Sequence, residues 1–444
     1  AMRLWLRGEY GSLAALNRQW GTDFADWGDV VPRLTDAAVR QKGENFSAWA
    51  DFKRWMDVAF ARAVRMGRNA VHAADPHALA AIEGAQIPGW GGYDYARLAP
   101  AVDVMEIYDG DENIEIARSL NPALVMLMTF SSGDARQRHG LWRSVLRGMR
   151  GAILWDESDR LVNGDGSPGP WGRQVAPIFI ELRGVLGRLL MESERVSDPV
   201  LTLYSPASLR TQWLLDRRVG GGPWENRGAE AETEGDDAVR AAMRRFARMV
   251  SRNWLQGNYT APGLVEQGAL RNGHVRLLLL PHVLALSARA AAEIRRFVAG
   301  GGVVVADVAP GRFDEHSRRL PHPLLADLFR NGSQAGQGAA ILLPGPNGLA
   351  EAFARAGLRA PFCIETPDGR MAEGVSLFRF RHGAATILAL HRDFAPGTIA
   401  EPFVLRLSSP GRLRDLRAGQ ALGRADRVAL HLDPVTPTIL MVSA

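Results

Sequence analysis

Apolar and polar positions alternate along the first 195 residues in a repeating helix–strand rhythm. Residues 46–67, FSAWADFKRWMDVAFARAVRMG, carry apolar side chains at helical spacing and predict an amphipathic helix. Short apolar runs follow within 69–84, 101–110, 123–130 and 152–158, with helical stretches reaching Ser119 and spanning 139–151 between them. Each run closes on polar or acidic residues: Glu83, Glu106 to Asp109, Thr129, and Asp156 with Glu157. This alternation predicts parallel β/α architecture, in which chemistry gathers at the C-terminal ends of the strands. About four strands are legible, whereas a closed eight-stranded barrel needs eight strands and roughly 250 residues. Either an incomplete barrel or a smaller open sheet is expected over residues 1–195.

Residues 196–335 read as a second unit. It opens on an apolar strand at 199–206 and carries an acidic, glycine-rich loop at 219–237 before a long amphipathic helix. Strand 275–281, helix 287–301 with Ser287 as its N-cap, and strand 302–308 complete a doubly wound α/β pattern. From 336 to 444 the pattern changes to alternating strands, 375–383, 384–394, 402–409 and 436–444, separated by polar turns. That pattern predicts a small β-sandwich. No internal repeat is visible.

The composition changes this picture little. The chain has 444 residues, 46% hydrophobic and 23% charged, and a net charge of +5 spread along its length. Lysine occurs only at Lys42 and Lys53, so the basic excess is arginine without a dense cluster, and no nucleic-acid partner is expected. No run approaches the ~18 apolar residues of a membrane helix, so no membrane partner is expected. No leader peptide is legible, and a cytoplasmic location is expected. The single cysteine, Cys363, excludes an internal disulfide framework, and it lies in an apolar, strand-like context that reads as a structural thiol. His72, His77 and His139 stand at no metal-ligand spacing, so no metal and no cofactor are expected. The glycines at 300–302 precede a strand rather than follow one, which does not fit a dinucleotide fingerprint.

Several strings resemble one family. Residues 10–32, YGSLAALNRQWGTDFADWGDVVP, are similar to a segment of the family 42 glycoside hydrolases (β-galactosidases), and 50–60, ADFKRWMDVAF, to that family's next helix. Residues 197–216 together with 274–316 resemble its trimerisation domain. The resemblance implies the C-terminal half of a (β/α)8 TIM barrel over 1–195. A flavodoxin- or glutamine-amidotransferase-like trimerisation domain would follow over 196–335, and a C-terminal β domain over 336–444. It further implies a carbohydrate substrate with hydrolysis of β-linked galactosides or related hexosides, and a homotrimer. The family's acid/base glutamate lies upstream of the Tyr10 segment, so the first half of the barrel and that residue are expected outside this chain, which alone is expected to lack turnover. The family's nucleophile ends the seventh strand, where Thr129 stands here, and a hydroxyl without a base is a poor glycosyl nucleophile. An amidotransferase cysteine would follow strand 277–281; His282 and Val283 stand there instead, which excludes amidotransfer.

Glycosidases use two carboxyls flanking the scissile bond. Glu83 precedes a loop with Trp90, Tyr93 and Tyr95, whose rings would stack on a sugar; it would equally serve as a carboxylate bonded to loop amides. Period-two alternation places Glu106 and Tyr108 on one side of their strand, as a sugar-binding floor or as a pair stabilising the sheet interior. Asp156 and Glu157 end the last strand beside Trp155. Adjacent side chains point oppositely, so only one of the two faces a pocket, and a salt bridge to an arginine is the competing reading. Glu83, Glu106 and Glu157 are thus the catalytic candidates, and Trp90, Tyr93, Tyr108, Trp155 and Asp156 the substrate contacts. The alternative function is a non-catalytic carbohydrate-binding or assembly protein built on a degenerate barrel. An unrelated enzyme using the edge of the second sheet ranks last.

Overall fold

The computed structural model describes residues 1–85, 93–108, 110, 112–130, 134–156, 160–218, 238–330, 338–343 and 349–443. The amphipathic N-terminal pattern forms a helix longer than its apolar repeat suggested, Ser47–Ala74, which buries Trp49, Ala50, Asp51 and Ala61. Four strands follow, β1 (Ala81–Ala85), β2 (Val104–Ile107), β3 (Val125–Phe130) and β4 (Gly151–Leu154), all parallel and neighbours in chain order. One face of this sheet is apolar. Met105, Ile107 and Met126 pack with Ile114, Ile116 and Ala117 of helix Asn113–Leu120. Further along, Phe130 meets Leu141 and Trp171 of the next two helices. The opposite face carries Glu106 and Thr129, which are hydrogen-bonded to each other.

A two-residue strand, β5 (Glu194–Arg195), leads into the second unit. There β6 (Val200–Leu203), β7 (Asn258–Thr260), β8 (Leu277–Leu280), β9 (Val303–Ala306) and β10 (Ala339–Leu342) form a parallel sheet in the order β10-β9-β8-β6-β7. Its central strands read as unbroken apolar runs because both faces are covered. Leu278, Leu280 and Val304 enter one core, and Leu277, Leu279, Val303 and Val305 the other. Ser287 caps helix Ala288–Ala299 as expected, its hydroxyl accepting from the Ala290 amide at 3.0 Å. Pairing of β10 with β9 carries this sheet past residue 335.

The last strands are β11 (Phe362–Glu365), β12 (Val375–His382), β13 (Ala385–Arg392), β14 (Glu401–Asp415), β15 (Gln420–Leu432) and β16 (Thr438–Ser443). They join β5 in one antiparallel sheet of seven strands, where two packed sheets were expected. The second layer is not needed, because the sheet's two faces are covered differently. Leu388, Leu390, Leu405 and Leu430 close on one another across the curled sheet. Phe378, Phe380, Ile387 and Ala389 pack against Trp142, Leu146 and Leu190 of the first segment's helices. Register shifts in the long β14–β15 ladder, between Arg406 and Gly411, allow the bend.

Candidate functional site

Glu106 is the buried carboxylate of the first sheet, 4% exposed. Its two oxygens have separate donors: the Gly84 backbone N–H from β1 and the Thr129 hydroxyl from β3. Gly84 is able to aim its amide this way because it adopts φ +66, a left-handed conformation that favours glycine, at a register shift between Ile82 and Ala85. Tyr108 follows two residues beyond Glu106 at the strand end and is 47% exposed. A Cβ at Gly84 would lie 3.6 Å from the Tyr108 hydroxyl, so ring, amide and carboxylate share one locality. Asn113 Nδ2 donates to the Tyr108 carbonyl at 3.0 Å and fixes the backbone there.

The other candidates divide. Glu83 is exposed, one residue before the Gly84 bulge. Trp155, 51% exposed, is anchored by its amide to the Phe130 carbonyl at 3.1 Å, at the end of β4. Asp156 accepts from the Leu161 amide at 2.6 Å. Tyr93 stacks on Phe60 of the long helix, centroids 5.0 Å apart and planes 9° from parallel. That face of its ring is occupied by protein. Trp90 and Glu157 lie outside the described residues. Glu106, Gly84, Thr129 and Tyr108 are therefore brought together, whereas Tyr93 joins the packing around the long helix.

A second polar cluster escaped sequence reasoning. Asp51, 1% exposed, accepts from the Tyr10 hydroxyl, from Trp20 Nε1 at 2.7 Å and from His316 Nδ1 at 2.6 Å. Burial disfavours a charged imidazole, but the Asp51 carboxylate outweighs it, and the His316 pKa is raised. Burial, and then Asp51, also push the Tyr10 pKa up. The cluster joins the N-terminal helices to the loop after β9. Gln19 Nε2 donating to Asp314 at 2.6 Å adds a second tie between them. The only sequence signal was the family resemblance of three separate strings, 10–32, 50–60 and 274–316, which contain Tyr10 and Trp20, Asp51, and His316 without indicating that they meet.

Among the described residues no helix is long and apolar enough to cross a membrane. Residues 1–133 match the glycoside hydrolase family 42 β-galactosidase pattern. Over those residues the protein is family 42-like. No curated protein matches the sequence. Solved structures match the whole chain at low identity. The β-galactosidase from Bacillus circulans sp. alkalophilus has a TM-score of 0.74 and 14% identity, covering 100% of this chain and 76% of its own. The family 42 β-galactosidase Gan42B from G. stearothermophilus gives 0.73 and 14%, covering 100% and 75%. The family 42 exo-carrageenase from Bacteroides ovatus gives 0.66 and 17%, covering 100% and 62%. The fold is therefore that of the family 42 enzymes.

Proposed function

We propose that this chain, with its family 42 β-galactosidase pattern over residues 1–133, serves in a glycoside hydrolase acting on β-linked galactosides or related hexosides. In this reading the four parallel strands are part of a (β/α)8 barrel. The second unit is an amidotransferase-like trimerisation domain that makes a homotrimer, and the third is an accessory β domain. The chemistry is carboxylate acid–base catalysis, with Glu83, Glu106 and Glu157 as the carboxyl candidates. Tyr108, Trp155 and Trp90 supply rings to the sugar, and Asp156 and Tyr93 shape the rim.

The observation that carries this reading is the Glu106 carboxylate, buried at a strand's C-terminal end and oriented by two donors beside the exposed Tyr108 ring. A carboxylate held in one orientation is preorganised for a substrate hydroxyl or a reacting centre. The fold itself leaves the sugar open, since one solved relative is named an exo-carrageenase. Hydrolysis of a panel of nitrophenyl glycosides by a full-length clone, before and after Glu83→Gln, Glu106→Gln and Glu157→Gln, tests it. Loss of turnover in at least one variant with retained folding is expected; unchanged rates in all three overturn the assignment.

One observation favours the second reading, a non-catalytic sugar-binding protein. The residue at the place of the family's nucleophile, Thr129, has its hydroxyl committed to Glu106. Under that reading galactosides bind and protect the chain from unfolding, but no glycoside in the panel is cleaved.

A further inference from the structure

A concave site lies at the amino ends of β6 and β8, two inner strands of the middle sheet. A cavity of about 370 Å³ is lined by Asp198 and Pro199 before β6, Leu255, the turn Gly273, His274 and Arg276 before β8, and Gly357, Leu358 and Arg359. The walls thus come from four separate stretches of chain. Both turns depend on glycine: Gly273 and Gly357 adopt φ +71 and +64. A Cβ at Gly357 would stand 3.6 Å from Arg276 Nη1, so the turn lies directly against this guanidinium.

The charges of this pocket are unbalanced. His274, Arg276 and Arg359 are exposed, and among the described residues none of the three is paired with a carboxylate. The one acid in the lining, Asp198, is already engaged. Its carboxylate accepts from the guanidinium of Arg379 and from the Gln256 amide at 2.6 Å. Behind Asp198 the excess continues. Arg118, Arg147, Arg195 and Arg379 gather at the junction of the three units, and the carboxylates paired with them are Glu115 and Asp198. The Nε atoms of Arg118, Arg195 and Arg379 are buried without a hydrogen-bond partner. Burial first, and then the neighbouring arginines, push the Arg195 pKa down to about 9, as expected where cations crowd in a dry place. Low-dielectric walls focus such a field into the adjoining cleft.

We infer that this pocket binds an oxyanion (phosphate, sulfate or carboxylate), free or carried by a molecule of monosaccharide size, with Arg276 and Arg359 gripping the anionic group. Planar guanidinia match these groups with paired, charge-assisted hydrogen bonds. Leu255, Leu358 and Pro199 give the apolar wall against which the rest of a small ligand packs. The site is separate from the Glu106 region and independent of whether that region turns over a glycoside.

Isothermal titration of the full chain with inorganic phosphate, sulfate, galactose 6-phosphate, galacturonate and neutral galactose tests the inference. Anionic probes are expected to bind, with affinity falling as salt rises, while galactose gives no signal at this site. Arg276→Gln and Arg359→Gln should each weaken binding about tenfold or more, since a hydrogen bond to a charged group is lost. The surface substitution Arg370→Gln should leave binding unchanged. Phosphate binding as tightly as galactose 6-phosphate identifies a free-ion site; tighter binding of the sugar phosphate identifies an anionic sugar. Failure of every anion to bind at millimolar concentration overturns the inference. So does binding that survives the Arg276→Gln/Arg359→Gln double substitution in a chain whose melting temperature is unchanged.

Discussion

The Thr129 hydroxyl donates its hydrogen bond to the Glu106 carboxylate across the neighbouring parallel strands β2 and β3. Removing the donor while keeping the shape isolates this bond. Thr129→Val should lower stability by about 1–2 kcal/mol, because a buried carboxylate loses one of its two partners. The shift of the urea midpoint with an unchanged slope measures it. In the hydrolase reading the same substitution also lowers turnover, through a Glu106 free to change orientation.

Gly84 supplies the other donor to Glu106, and it does so at φ +66. A methyl group there meets the Tyr108 hydroxyl at 3.6 Å, an ordinary contact, so crowding is not the obstacle. The cost is conformational, about 1–2 kcal/mol for holding an L side chain in the left-handed region. Gly84→Ala should therefore destabilise the chain by that amount or flatten the bulge and turn the amide away from Glu106. Thermal melting reports the first outcome, and weakened galactoside binding the second.

The elements legible in the sequence were those whose burial is symmetrical or strictly periodic. Leu277–Leu280 and Val303–Ala306 are apolar on both faces because helices cover both, and their strands emerged directly from the pattern. Glu106 and Tyr108 were also legible, since alternation alone places them together. The bulge at Gly84 was not, because a lone glycine in a strand has no signature separating a bulge from a weak strand. Asp51 and His316 are 265 residues apart, and nothing local links them. The third unit was expected as two sheets because alternating strands imply a cover for each face. The cover of Phe378 and Phe380 is Trp142 and Leu146, from helix Ala135–Arg147 more than two hundred residues earlier.

The Asp51–His316 pair should make stability fall as pH rises above the unfolded histidine value. The His316 pKa is raised in the folded chain, so the native state binds the proton more tightly than the unfolded one. The contribution is complete below the unfolded histidine value of about 6.5 and is lost as pH rises through the higher folded value. His316→Gln should abolish that dependence in melting curves. Asp51→Asn leaves Tyr10, Trp20 and His316 facing a weaker acceptor and should destabilise by roughly 3–5 kcal/mol, the cost of breaking a buried pair.

His139 and His391 predict the opposite sign on the acid side. Their rings stack with centroids 4.1 Å apart where helix Ala135–Arg147 meets β13. His139 Nε2 lies 2.7 Å from the Arg392 carbonyl, and His391 Nε2 is buried without a partner. Burial lowers both pKa values. For His391 the neighbouring His139, Arg143 and Arg417 add to it against a backbone bond at Val435, bringing it down to about 3. For His139 the Arg392 carbonyl and Asp393 oppose burial, and Arg143 reinforces it. Above about pH 6.5 the rings are neutral in both states and the contribution is full. As pH falls below that value the unfolded chain takes up protons first, and stability declines toward the folded values. His391→Phe keeps a ring in the stack and removes one titration, so its melting temperature should fall less steeply between about pH 6.5 and pH 4. An unchanged slope would refute this linkage.

Trp155 and Tyr108 separate binding from folding, because each is about half exposed, at 51% and 47%. A ring in that position stabilises the native chain little, since half of its surface remains in water, but it offers a flat apolar face to a sugar. Trp155→Ala and Tyr108→Ala should therefore each lower stability by no more than about 1 kcal/mol, within the range of partly exposed substitutions. If the chain binds galactosides as proposed, their affinity should fall about tenfold, the loss expected when an aromatic contact at a binding surface is truncated. Affinity and melting temperature measured on the same preparations distinguish the outcomes. A large drop in melting temperature with intact affinity would make both rings part of the sheet's packing and remove them from the site.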